Sequence, residues 1–112
     1  MRIRLRKAGK VNVLELAGKM TIGEGDVQLR TRMKELLAAG ERFFVFDMLD
    51  VPVLDSASVG EVVACYRRAR EVDGSIRLVL RGRVHDTFTM THLDRVFEIF
   101  TKVDDALGSF AH

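Results

Sequence analysis

The sequence predicts an α/β domain: a mixed β-sheet of about five strands with an N-terminal hairpin and about four helices. Three observations lead there. Two short strand-like runs flank the turn Ala8-Gly-Lys10. Two later runs, residues 43–48 and 76–80, are rich in apolar residues and too short for helices. Most of the segments between and after them repeat their apolar residues every three or four positions. The order is therefore β-β-α-β-α-β-α-β-α, with helices threaded between most strands and the opening hairpin as the antiparallel part.

In the first strand Ile3 and Leu5 alternate with Arg2, Arg4 and Arg6, so one face is wet and positively charged. Arginine there discourages unwanted pairing, as expected of a sheet edge. Val11, Val13, Leu14 and Leu16 form the second strand. Residues 18–25 are a glycine-punctuated loop without the Gly-Lys-Ser/Thr ending of a phosphate-binding loop. The first helix puts Leu29, Met33, Leu36 and Leu37 on one face, and Gly40 ends it as a left-handed cap. Residues 43–48, Phe-Phe-Val-Phe-Asp-Met, read as a central strand covered on both faces. The second helix, residues 59–70, has Val59, Val62, Val63 and Tyr66 as its apolar stripe, with Glu61, Arg67, Arg68 and Arg70 mainly elsewhere. Asp73-Gly74 ends it, and Ile76, Leu78, Val79 and Leu80 make the next strand. Residues 83–91 form a third helix with Val84 and Phe88 one turn apart. Residues 97–100 are a short final strand, and residues 104–110 a last helix with an acidic start, favourable at that end.

The length fits one domain spanning residues 1–112, able to bury a core without disulfide or metal. A net charge of +2 gives no strong field toward nucleic acid or membrane. Cys65 is the lone cysteine, so no internal disulfide exists, and it reads as a core thiol. His85, His92 and His112 make no ligand cluster with it, so neither metal nor cofactor is expected. The basic, alternating start is unlike a signal peptide, and no stretch has the length and apolarity of a membrane span. A cytoplasmic setting is the default. No heptad or long apolar stripe is left over, so the free chain is expected to be a monomer.

The chemistry concentrates at residues 51–61, Val-Pro-Val-Leu-Asp-Ser-Ala-Ser-Val-Gly-Glu, between the central strand and the second helix. Two serines and an aspartate stand at a helix N-terminus, where unpaired N–H groups and the helix dipole favour negative charge. A phosphate on a serine here is electrostatically stabilised and changes its surroundings sharply. Plainer roles compete. For Ser56 the plain role is a helix N-cap, which does not exclude phosphorylation. Ser58 with Glu61 three residues on matches a capping box, and this is the favoured role for Ser58. Asp55 can satisfy free N–H groups at the helix start. Gly60 permits close packing or a partner's approach. Thr21 and Glu24 form either a second capping box or, with Ile22 and Gly23, part of a partner-facing loop.

Leu16-Ala-Gly18 with Met20-Thr-Ile-Gly-Glu24, residues 43–48, Leu54-Asp-Ser-Ala57 with Val59-Gly60, and Val84-His-Asp86 with Leu93 and residues 96–100 together resemble the STAS domain of bacterial anti-sigma factor antagonists. The likeness spans nearly the whole chain, and the Asp-Ser switch is its most specific part. It implies that Ser56 is phosphorylated by an anti-sigma factor that is also a serine kinase and brings its own ATP. It implies further that the unmodified chain binds this kinase, that phosphorylation ends the partnership, and that a phosphatase resets it. Thr21, Ile22, Gly23, Glu24, Asp55, Ala57, Ser58, Val59 and Gly60 then make the partner-binding surface. The family usually has glycine where this chain has Ser58, which sets a side chain on the surface a kinase must meet or supplies a second acceptor.

Two other readings stay in view. A constitutive STAS scaffold, or an accessory subunit of an ATPase or sensory complex, keeps the fold without the switch. Ser56-Ala-Ser58-Val-Gly60 is also a near miss to the Gly-x-Ser-x-Gly of serine hydrolases, with His85 or His92 as base. Its first glycine is a serine, and the chain is short for that fold.

Overall fold

The computed structural model describes residues 1–110. The opening alternation builds a hairpin, with β1 (Arg2–Ala8) and β2 (Val11–Ala17) antiparallel, Ala8 opposite Val11 and Arg2 opposite Ala17. β3 (Phe43–Asp50), β4 (Ser75–Val79) and β5 (Glu98–Phe100) follow in parallel, giving the order β1-β2-β3-β4-β5. Each parallel step moves the same way across the sheet. Right-handed crossovers therefore place α1 (Gly25–Ala38), α2 (Ser56–Glu71) and α3 (Gly82–Met90) on one face. α4 (Val103–Gly108) follows the last strand and packs on the opposite face.

Both faces of β3 are buried, and its alternation divides the core. Phe44, Phe46 and Met48 meet Leu29 and Met33 of α1, Val62 and Cys65 of α2, and Val84 and Phe88 of α3. Val45 points the other way and joins Val11, Val13, Val79 and Ala106 under α4. The strand expected to be central is central. β1 is an edge, as its arginines suggested.

Helix ends follow local rules. Gly40 has φ of 94°, with Glu41 N–H on the Leu36 carbonyl and Gly40 N–H on that of Leu37, closing α1 with a paired C-terminal cap. The threonines of α3 are accommodated by hydroxyl bonds to carbonyls four residues back, Thr87 to Arg83 and Thr89 to His85. A single 3₁₀ turn, Leu93–Arg95, precedes β5 and was not foreseen.

α2 departs from expectation in a way that matters for function. It begins at Ser56, three residues earlier than its periodicity suggested. Its buried residues are Ser58, Glu61, Val62, Cys65 and Ala69, while Val59, Val63 and Tyr66 are only half-buried. The helix is thus rotated from the expected stripe. Glu61, expected mainly off that stripe, faces inward.

Candidate functional site

The site forms where two strand ends meet. After β2 the chain stays beside the segment that follows β3. Gly18 N–H donates to the Asp50 carbonyl at 3.0 Å, Met20 N–H to Val53 at 3.1 Å, and Asp55 N–H back to Met20 at 3.2 Å. Met20 and Leu54 make an isolated parallel bridge. Thr21 then turns the chain, its carbonyl accepting from Gly25 N–H at 3.0 Å. Gly25 is required here, because a Cβ would lie 2.9 Å from the Met20 side chain and 3.0 Å from its Cα. Loop 21–24 and the start of α2 are thereby adjacent.

Asp55 joins them. It is the N-cap of α2, in extended backbone, and Oδ1 accepts from Ser58 N–H at 2.9 Å. Oδ2 reaches across to Ile22 N–H at 2.8 Å. The Ile22 N–H, and after it the Ser58 N–H, hold the Asp55 carboxyl below its ordinary value. One ionised carboxylate therefore caps the helix and fixes the neighbouring loop.

Ser58 is not the N-cap and does not reach the surface. It has 0% exposure, and its hydroxyl donates to the Met20 carbonyl at 2.9 Å. That carbonyl thus holds both Asp55 N–H and Ser58 O–H. At the position where the resemblance leads one to expect glycine, this chain has a second tie between the start of α2 and the loop after β2. The proposed capping box with Glu61 does not form. Nor does the one between Thr21 and Glu24, since no side chain caps α1.

Glu61 has another task. One carboxylate oxygen accepts from Arg30 Nε of α1 at 2.8 Å and the other from Arg68 of α2 at 2.7 Å. Burial pushes its carboxyl up, but the hydrogen bonds from Arg68 and Arg30 outweigh that and hold it below its usual value. Cys65, fully buried beside Glu61, has its thiol pushed up by burial and then by that carboxylate, so it stays protonated and inert.

Around this scaffold the exposed groups are few. Ser56, the first helical residue, is exposed, as are Gly23, Glu24 and Gly60; Thr21, Asp55, Ala57 and Val59 are half-buried. Ile22 is 71% exposed, the highest value among the apolar residues of this end, and Val53 is 38% exposed. Sequence reasoning missed Val53 and the Met20 carbonyl. The first could have been suspected from an apolar residue beside the chain's one proline; the second, a backbone group, leaves no sequence signal. Gly60 packs against nothing, since an added Cβ would meet no atom within 4 Å. The close-packing role for Gly60 is therefore wrong.

The hydrolase arrangement is also absent among the described residues. The Ser58 hydroxyl proton is committed to a carbonyl, which cannot act as a base. His85 contacts Thr89 of its own helix, and His92 lies exposed beyond α3. His112 lies outside the described residues.

The candidate site is thus an exposed serine at a helix start that Asp55 and Ser58 tie to the loop after a neighbouring strand. The chain belongs to the STAS domain family, whose model matches residues 2–106. Solved structures share the fold. A Thermotoga maritima protein put forward as an anti-sigma factor antagonist superposes with a TM-score of 0.88 at 22% identity, covering 96% of this chain and 92% of its own. An anti-sigma factor antagonist from Mycobacterium paratuberculosis gives 0.84 at 23% identity over 96% and 92%. The Bacillus cell fate determinant SpoIIAA, in its phosphorylated form, gives 0.76 at 17% identity over 97% and 99%. No curated protein matches in sequence. No helix of the described residues is long and apolar enough to cross a membrane.

Proposed function

We propose that this chain is an anti-sigma factor antagonist: a binding protein, not an enzyme, that engages an anti-sigma factor serine kinase and is switched off by phosphorylation of Ser56. One observation supports it above the others. Of the two serines at the helix start, Ser56 is exposed and Ser58 is buried and hydrogen-bonded. The acceptor is therefore Ser56, and Ser58 is a positioning residue. The partner brings ATP, and a phosphatase restores the free hydroxyl; this chain needs no cofactor.

The binding face consists of Ile22, Gly23 and Glu24 together with Asp55, Ser56, Val59 and Gly60. Thr21, Ala57 and Ser58 support it from beneath. Ile22 and Val53 offer apolar area to the partner, and Gly60 leaves room beside it. A phosphate on Ser56 is tolerated by the free chain, because it sits at a helix N-terminus. In the complex the dianion must be desolvated, and its repulsion from the ionised Asp55, screened by water in the free chain, grows. A penalty of about 3 kcal/mol weakens binding more than a hundredfold. The free chain is a cytoplasmic monomer in this reading.

The test is phosphosite mapping by intact mass and peptide spectrometry on protein recovered from its own cells under two growth conditions. A single phosphate on Ser56 supports the switch. A phosphate on Ser58 counts against the burial argument. An abundant chain with no phosphate in either condition favours a constitutive scaffold.

A further inference from the structure

We propose that the free edge of β1 is a second docking surface. It takes an extended segment of a protein partner in which acidic and apolar residues alternate, added to the sheet as another strand. This stands apart from the Ser56 reading and does not depend on it.

Among the described residues β1 pairs with β2 alone, over seven residues. The two-residue turn at Gly9-Lys10 makes Ala8 and Val11 the closing pair. Alternation of the antiparallel ladder then turns the backbone groups of Arg2, Arg4 and Arg6 toward β2. Those of Ile3, Leu5 and Lys7 face outward, free to pair. Edges of this kind accept peptides through main-chain hydrogen bonds, with side chains on alternate positions giving selectivity.

The two sides of the edge differ. On the side of α1 lies a groove of about 490 Å³, lined by Ile3, Val27, Gln28, Thr31, Arg32 and Glu35. Four of these are polar or charged, and the apolar surface open to alternate residues of an added strand is Ile3 with Leu5 and Val27, the last two 42% and 41% exposed. On the other side stand the exposed Arg2, Arg4 and Arg6. Among the described residues, Arg6 is the one of these in an ion pair, with Glu15 at 3.7 Å; Arg4 stands opposite Glu15 across the hairpin without reaching ion-pair distance, and Arg2 has no ion pair. The acids near these arginines, Glu15 on β2 and Asp47 and Asp50 on β3, are set one and two strands in from the edge. An arriving strand meets the arginines first.

A second copy of this chain does not fit. Twofold pairing of β1 with itself must set residues of the same face opposite each other, and arginine then faces arginine. Like charges directly opposed across strands are destabilising. The same arginines that reject self-pairing select a partner with acids at alternate positions.

The experiment titrates the full chain with an end-blocked seven-residue peptide of alternating glutamate and valine, followed by amide chemical shifts. Saturable shifts confined to residues 2–7 and 27–32 are expected. Arg2→Glu/Arg4→Glu should weaken binding by about tenfold or more, a loss of about 1.4 kcal/mol. Raising salt should weaken it in the wild type. Should the double variant not fold, Arg4→Gln reads the same effect at smaller size. Equal binding of a lysine-for-glutamate peptide, shifts centred on Ile22 and Ser56, or no saturable shift would each overturn the proposal. So would concentration-dependent shifts of residues 2–7 without peptide, which would mean self-association.

Discussion

Two regions of α2 are fastened to the rest of the fold by carboxylates, six residues apart, in opposite ways. At its start, Asp55 is part-exposed and accepts only backbone N–H groups, from Ile22 and Ser58. Further along, Glu61 is 5% exposed and accepts only from side chains, the guanidiniums of Arg30 and Arg68 and, weakly, the Cys65 thiol. The first region gives its bonds to a loop that a partner would contact. The second pins helix to helix away from water. A charge-assisted bond at the surface exchanges readily with water, whereas a buried pair once broken strands a charge. The helix is therefore anchored in its body and adjustable at its tip, where Ser56 lies.

The largest effect is expected at Glu61. Glu61→Ala should lower stability by about 3 kcal/mol in urea unfolding. Arg30 and Arg68 can partly turn to water, with side chains 40% and 28% exposed, so a higher figure is not expected. A loss below about 1 kcal/mol would mean that the triad is no stronger than a surface pair. The pH dependence has a definite sign. The Glu61 carboxyl is held below its ordinary 4.5 in the folded chain. Its contribution is thus full above that pH and is lost as pH falls through the lowered folded value. Glu61→Gln should flatten the acid limb of the stability curve. Asp55 has the same sign, its ordinary value being 3.8.

Asp55→Ala comes next. It should cost less stability than Glu61→Ala but act more locally. Hydrogen exchange at Ile22 and Ser58 should quicken while the amides of β3 stay protected. If exchange quickened equally across α1 and α2, the tip would not be separable from the body. Ser58→Ala removes one donor from the Met20 carbonyl but leaves Asp55 N–H in place, so a loss of about 1 kcal/mol is expected. Gly60→Ala runs the other way. The site is open and helical, and alanine should add about 1 kcal/mol of stability. Weaker partner capture by this more stable variant would mark Gly60 as kept for the partner.

The elements were legible because each obeys one simple period. Phe44, Val45 and Phe46 are apolar in succession, in a run too short for a buried helix, which points to a strand buried on both faces. The frame of α2 was not legible. Ser58 and Glu61 match a capping box, and treating Glu61 as polar moved the apparent stripe toward Val59, Val63 and Tyr66. The competing signal was Asp55, which captured Ser58 N–H and started the helix three residues sooner. The spacing of Glu61, Cys65 and Arg68 on one face could have revealed it, but only with Arg30 already placed on the adjacent helix. The rest depended on backbone atoms. A carbonyl at Met20 that holds Ser58 has no letter of its own, so the sequence made Ser58 look like a surface residue.

The smallest stability effect belongs to Ser56. It is exposed and caps nothing, so Ser56→Ala should change stability by less than about 0.5 kcal/mol. Ser58→Ala, two residues on, should cost more although it removes the same hydroxyl. If Ser56 is the acceptor, its alanine variant should still capture the partner and lose its response to phosphorylation. Ser58→Ala should then remain phosphorylated on Ser56, with loop 21–24 less well fixed and binding weaker. The reverse pattern, with Ser58→Ala unphosphorylated and Ser56→Ala unaffected, would require the helix tip to open and expose Ser58. The adjustable tip would then be the switch itself, and Asp55→Ala should speed phosphorylation by loosening it.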